Sequence, residues 1–328
     1  MEYHTSFILF VILFAFVFEF INGFHDASNS IATIVTTGVL TPRQAVMWAA
    51  FFNFIAFLLF DLMVAQTIGS GLIDTSLVDA RFIFSALLGA IFWNMVTWYY
   101  GLPSSSSHAL IGGLVGAALA KGGFASLKMG GLSKVALGIV VAPVLGLVVG
   151  FLCTYGLRWL LQSKNEAQVN TLSKRLQLVS SALLSVTHGG NDAQKTMGII
   201  AILLFTSHWI GDRFYVPFWV VISCHAVIAA GTLVGGWRIV HTLGTQITSL
   251  NPIKGCAAET GAALIIYAAT ECGVPVSTTH TVTGSIAGVG LVSGVDGTHW
   301  KVIRKIFFSW VLTIPASAIV AAAIMLPR

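Results

Sequence analysis

The chain has 328 residues, 56% apolar and only 9% charged, with a mean hydropathy of +0.88 and a formal net charge of +5. A soluble domain carries about 25% charged residues, so this composition cannot cover a water-facing surface and excludes a soluble enzyme. The basic excess lies mostly in loops, where it sets membrane orientation, and does not read as a nucleic-acid surface.

Apolar runs recur at 7–21, 46–65, 82–100, 135–161, 215–235, 255–270 and 305–326. Most approach the roughly 20 residues that a helix needs to cross a bilayer. Backbone polar groups in lipid must be satisfied internally, and runs this long and continuous exclude a β-barrel. The expected fold is an all-α, polytopic integral membrane protein of about ten to twelve membrane segments.

Taken in chain order, the first run follows no Lys or Arg and passes directly into Asn22-Gly23-Phe24-His25-Asp26 without a small-residue cleavage site, so it reads as a retained helix and not a signal peptide. On a helix continuing from Asp26, Asn29, Ser30 and Thr33 share its face. Gly23 would let the backbone break here and expose carbonyls to a cation. Glu19, seven residues earlier, either lines the same site or lies at the interface. Next comes Leu102-Pro103-Ser104-Ser105-Ser106-Ser107-His108, followed by Gly112 and Gly116. Proline suits the first turn of a helix and the hydroxyls suit its N-cap. The apolar stretch to about Ala120 is roughly 20 Å long, right for a half-helix starting inside the membrane.

The stretch 162–175, with Lys164, Lys174 and Arg175, is the most polar of the chain and is expected to be a cytoplasmic connecting loop. Lys121, Lys128 and Lys134 pull the orientation the other way. The loop divides the chain into 1–161 and 176–328, and the second part repeats the punctuation of the first. Gly189-Gly190-Asn191-Asp192-Ala193-Gln194-Lys195-Thr196 answers the Asp26 motif, and Val274-Pro275-Val276-Ser277-Thr278-Thr279-His280 answers the Pro-Ser segment, again followed by Gly284 and Gly288. Two motifs recurring in order and at nearly the same spacing indicate a duplication. Paired interruptions of this kind point to a transporter site near the bilayer midplane. The motifs themselves leave open whether the halves are inverted or parallel.

The half-helices supply dipole ends, free N–H groups and neutral donors suited to an oxyanion, from Ser105, Ser106, Ser107, Ser277, Thr278 and Thr279, with Asn29, Asn191, Gln194 and Lys195 as further anion contacts. Ionisable groups at membrane depth are costly and functional by default, so Asp26 and Asp192, with Asn22 and Glu19, are expected to hold the coupling ion. Asp26, Asp192 and Lys195 sum to one negative charge, and an anion would add a second. A cation or proton must therefore enter with it, which implies symport by H⁺ or Na⁺. His108 and His280 serve structure or proton handling equally well, and His25 and His188 flank the aspartate motifs. Four cysteines form no ligand spacing, and neither a metal site nor a cofactor is expected of the resting protein.

These four motifs resemble the duplicated signature of the low-affinity inorganic phosphate transporter (PiT) family, bacterial branch, over essentially the whole chain. The resemblance implies two inverted repeats with broken or half helices, inorganic phosphate held between them, alone or as a complex with a co-transported divalent metal, and cation-coupled uptake across the plasma (bacterial inner) membrane by a homodimer. A sulfate transporter of the same fold is the nearest alternative. An intramembrane hydrolase using Ser105 or Ser107 with His108 and Asp26 is a remote one, because duplicated sites fit symmetric binding better than a single triad.

Overall fold

A computed structural model describes residues 2–326. Twelve α-helices follow one another: α1 (Glu2–Thr36), α2 (Pro42–Ile55), α3 (Met63–Ser70), α4 (Ala80–Tyr99), α5 (Ser106–Gly122), α6 (Met129–Leu161), α7 (Glu166–Thr206), α8 (Phe218–Val234), α9 (Trp237–His241), α10 (Pro252–Glu271), α11 (Thr278–Leu291) and α12 (Trp300–Met325). No strand occurs among the described residues, only an isolated bridge between Ile73 and Leu127. Helices α1, α4, α6 and α12 are long and apolar enough to cross a membrane. Two further spans are broken: the α2 segment meets α3 at 83°, and α8 meets the segment containing α9 at 65°. The protein is a multi-pass, all-helical membrane protein.

The breaks are not where the glycines predicted them. Both α1 and α7 run without interruption through Gly23, Gly189 and Gly190. These glycines serve close approach instead. A Cβ at Gly23 would lie 2.3 Å from the Ile228 carbonyl oxygen of α8, and one at Gly189 would lie 2.7 Å from that of Asn53 on α2. No carbonyl is freed for a cation at either motif.

The connecting loop is also shorter than its polarity predicts. Helix α7 begins at Glu166, capped by Asn165, whose side chain accepts from the Gln168 N–H at 2.9 Å, so only 162–165 are irregular. The 41 residues of α7 contain no apolar run of spanning length, yet 176–206 is among the most buried stretches of the chain. A helix surrounded by protein does not need a lipid-compatible surface, so hydropathy could not find it.

The two sequence halves interlock. Helix α5 packs most closely on α12 and α11 on α6, while α1 packs on α8 and α7 on α2 and α3. Small residues make the first two contacts possible. A Cβ at Gly116 would lie 2.1 Å from the Ala318 carbonyl oxygen on α12, and one at Gly288 would lie 2.0 Å from that of Leu147 on α6. Helices α1 and α7 run antiparallel. Thr37 meets Gln177 at one end of the pair, and Glu19 meets Thr196 at the other.

Candidate functional site

The N-termini of α5 and α11 converge on the middles of α1 and α7. Each half-helix is started by the same device. Ser105 caps α5 by accepting from the His108 N–H at 3.2 Å, and Ser277 caps α11 by accepting from the His280 N–H at 3.1 Å. These two hydroxyls fix the helix ends as acceptors, and each keeps its own proton to donate.

The next residues of each half-helix point at the aspartates. The Ser106 hydroxyl lies 2.6 Å from Asp26 Oδ2 and 2.5 Å from Asn22 Oδ1, sharing its one proton between them. Across the site, Thr279 donates to Asp26 Oδ1 at 3.4 Å and Thr278 donates to Asp192 Oδ2 at 3.0 Å. Asn29 donates to both threonines at 3.2 and 3.0 Å, tying α1 to α11. Lys195 donates to Asp192 Oδ1 at 2.5 Å, to Ser107 Oγ at 2.5 Å and to the Val276 carbonyl at 2.9 Å. All three ammonium protons are thereby used. Every one of these side chains is buried.

Histidines complete the cluster. His25 lies 2.7 Å from Asp26 Oδ1 through Nδ1 and 3.1 Å from Thr97 through Nε2, and His188 Nε2 lies 3.1 Å from Asp192 Oδ2. The sequence places both beside the motifs without assigning them a role. The i, i+4 spacing of His188 and Asp192 was the available signal. Ligand atoms from Asp26, His188 and Asp192 all lie within 4.8 Å of one another, so these three could hold a cation between the two helices.

Several expected residues lie elsewhere. Gln194 is consumed by α3: its Oε1 accepts from the Val64 and Ala65 N–H groups at 3.0 and 3.2 Å, and its amide donates to the Asp61 and Gly190 carbonyls. It caps the helix after the break and has no donor left for an anion. Asn191 turns to Thr270 on α10 at 2.8 Å. Glu19 is fully buried one layer away, accepting from Thr196 and, at 3.4 Å, from Asn22, with Oε1 unpartnered among the described residues. It reaches the centre through Asn22 and Ser106. His108 and His280 face each other with ring centroids 4.6 Å apart, and His280 stacks on Trp310 at 3.8 Å. Neither ring bonds a serine hydroxyl, so no Ser-His pair of a hydrolase is assembled.

A sequence model described as the phosphate transporter family matches residues 22–321. A probable low-affinity inorganic phosphate transporter of Rhizobium meliloti (strain 1021) is 56% identical over 92% of this chain and 90% of its own length. A protein of the same description from Bacillus subtilis (strain 168) is 41% identical over 98% of this chain and 97% of its own. Among solved structures, a sodium-dependent phosphate transporter shares the fold at a TM-score of 0.87, with 24% identity and 98% of each chain covered. The chain belongs to the phosphate transporter family, which is a family of transporters and not of enzymes.

Proposed function

We propose that this chain is a symporter that carries inorganic phosphate across the plasma membrane together with a cation. The observation that carries the reading is that the hydroxyls of both half-helices, and the ammonium of Lys195, all point into two carboxylates. In that arrangement the site holds donors for an oxyanion but keeps them occupied. A cation or proton arriving at Asp26 and Asp192 weakens their hold on Ser106, Thr278, Thr279 and Lys195, and the released protons then face the anion. Phosphate entering without the cation would meet two ionised carboxylates in a medium of low dielectric constant and be repelled. Coupling thus follows from competition for the same donors.

The antiparallel course of α1 and α7, which carry the matching motifs, supports reading the halves as an inverted repeat. Lys164 in the connector, with Lys174 and Arg175 early in α7, supports a cytoplasmic side for this end of the molecule.

Uptake of radiolabelled phosphate into proteoliposomes, with Na⁺ and pH gradients imposed separately and sulfate added as competitor, tests the reading. Accumulation under one gradient, resistant to sulfate, is the expected result. Uptake that needs no gradient would mean a channel-like pore, and displacement by sulfate would assign a different tetrahedral anion.

A further inference from the structure

Helices α6 and α12 are the most outward-facing of the four unbroken spans: only 28% of the most apolar stretch of each is buried, against 50% in α1 and α4. The half-helix α11 stands between them. It packs closely on α6 and α10, and α12 packs on α4 and α5, but α12 is not a main partner of either α6 or α11. The gap this leaves is a cleft of about 390 Å³, walled by α6 and α12 and floored by Thr283, Gly284 and Ala287 of α11. Both indoles in its wall have spent their N–H groups, Trp300 on the Val295 carbonyl at 3.0 Å and Trp310 on the Pro103 carbonyl at 2.8 Å. Thr283 is then the one polar side chain of the lining among the described residues, too few partners to hold water. A gap of this kind in a close-packed protein calls for an apolar occupant.

The cleft has the depth of one leaflet. Along α12 it runs from Trp300 to Ile314, about 21 Å at 1.5 Å per residue, whereas one leaflet of hydrocarbon is about 15 Å deep. Gly284 meets Pro143 and Gly288 meets Leu147, so α11 and α6 run parallel, and their C-terminal ends lie with the start of α12 on the connector side. The deep end is closed by Trp310, which stacks on His280 near the start of α11.

The open end is basic. Lys301, Arg304 and Lys305 are exposed on the first turns of α12, and Arg304 shares the face of Trp300 and Phe307. None of the three forms an ion pair among the described residues, and Asp296 is the one acidic residue between α11 and α12. Long cationic side chains at this depth reach up to headgroup phosphates. A second copy docked here about a two-fold axis would instead set three cations against three.

We propose that this cleft holds one acyl chain of an anionic phospholipid whose headgroup phosphate sits on Lys301, Arg304 and Lys305. The chain fills the space behind α11, the half-helix that brings Thr278 and Thr279 to the aspartates. The inference needs only the membrane fold and stands whichever anion is carried.

The test uses the purified full chain in micelles with equal amounts of phosphatidylglycerol and phosphatidylcholine bearing the same acyl chains, and native mass spectrometry reads the lipid retained. Wild type is compared with the triple variant Lys301→Gln, Arg304→Gln, Lys305→Gln and with Val144→Trp. Val144 is 55% exposed on the cleft wall, so a larger side chain there enters the cleft without displacing the core. Wild type is expected to retain phosphatidylglycerol over phosphatidylcholine by at least about tenfold. The triple variant is expected to lose that preference while still retaining lipid, and Val144→Trp is expected to lose both. Equal retention of the two lipids by wild type, or an undiminished preference in the triple variant, would mean that the cations only set topology and would overturn the proposal. So would a Val144→Trp protein that keeps its lipid. Disulfide-linked dimers formed by Val311→Cys but not by wild type would give the cleft to a second copy and overturn it as well.

Discussion

Asp26 and Asp192 occupy corresponding places in the two halves, and each receives a hydroxyl from a half-helix of the opposite or the same half. They differ in what balances their charge. Asp192 has Lys195 three residues on, at 2.5 Å, whereas the matching position beside Asp26 is Asn29, which reaches across to Thr278 and Thr279. Among the described residues, Asp26 has His25 as its one ionisable contact and no lysine. Asp192 thus has a resident cation beside it and Asp26 has none, so Asp26 depends more on something that comes and goes. On the proposed reading, the two matching motifs form a two-fold anion cradle, and a single Asn/Lys difference leaves one side of it for coupling.

The largest effects come from breaking the paired side. Lys195→Ala leaves Asp192 buried without its cation, and Asp192→Asn does the same to Lys195; each is expected to cost about 3–5 kcal/mol, read as lowered thermal stability of the purified protein. Lys195→Ala should also weaken phosphate binding, and lowering the pH should partly restore it, because protonating a carboxylate recovers the lost balance. Phosphate affinity that follows the wild-type pH curve would place Lys195 outside the anion site. On the unpaired side, Asp26→Asn keeps size and polarity, so stability should change less while gradient-driven accumulation is lost and exchange persists. Full concentrative uptake by Asp26→Asn would erase the distinction between the two aspartates.

Smaller effects sharpen the comparison among the hydroxyls. Ser106→Ala and Thr278→Ala each remove a donor to a charged group and should weaken phosphate binding by about 1.5–3 kcal/mol, alike in both halves. Ser105→Ala and Ser277→Ala remove helix caps, so each should cost about 1 kcal/mol of stability with affinity unchanged. Calorimetric titration of phosphate together with thermal melts separates the two classes. Equal affinity loss in all four variants would show that the caps touch the ligand too.

Much of this was legible in the sequence because it is written locally. Proline followed by hydroxyls announces a helix start whatever surrounds it, and Ser105 and Ser277 cap their helices accordingly. Glycine is ambiguous, since freedom of the backbone and close approach of a neighbour demand the same residue. Gly23 was read for the first and the fold uses it for the second, which only the position of Ile228 decides. Gln194 and Asn191 share a motif with Lys195 but lie on other faces of α7, and their partners on α3 and α10 are set by packing far away in the chain. Glu259 on α10 stands in the apolar run 255–270, but its partners Thr33 and Gln177 are 226 and 82 residues distant and are set by packing. Hydropathy likewise passed over α7, because a helix wrapped in protein reports nothing about lipid.

The interlocking of the halves bears on how the molecule is made. Helix α5 turns Gly112 and Gly116 to α12, which is made well after it. Until α12 inserts, α5 packs on α4 but lacks its other main partner, and the Ser106 end of the site is only partly held. Maturation of the site is therefore tied to the insertion of α12, and a nascent chain stopped short of it is a client for membrane quality control, not a transporter missing one helix.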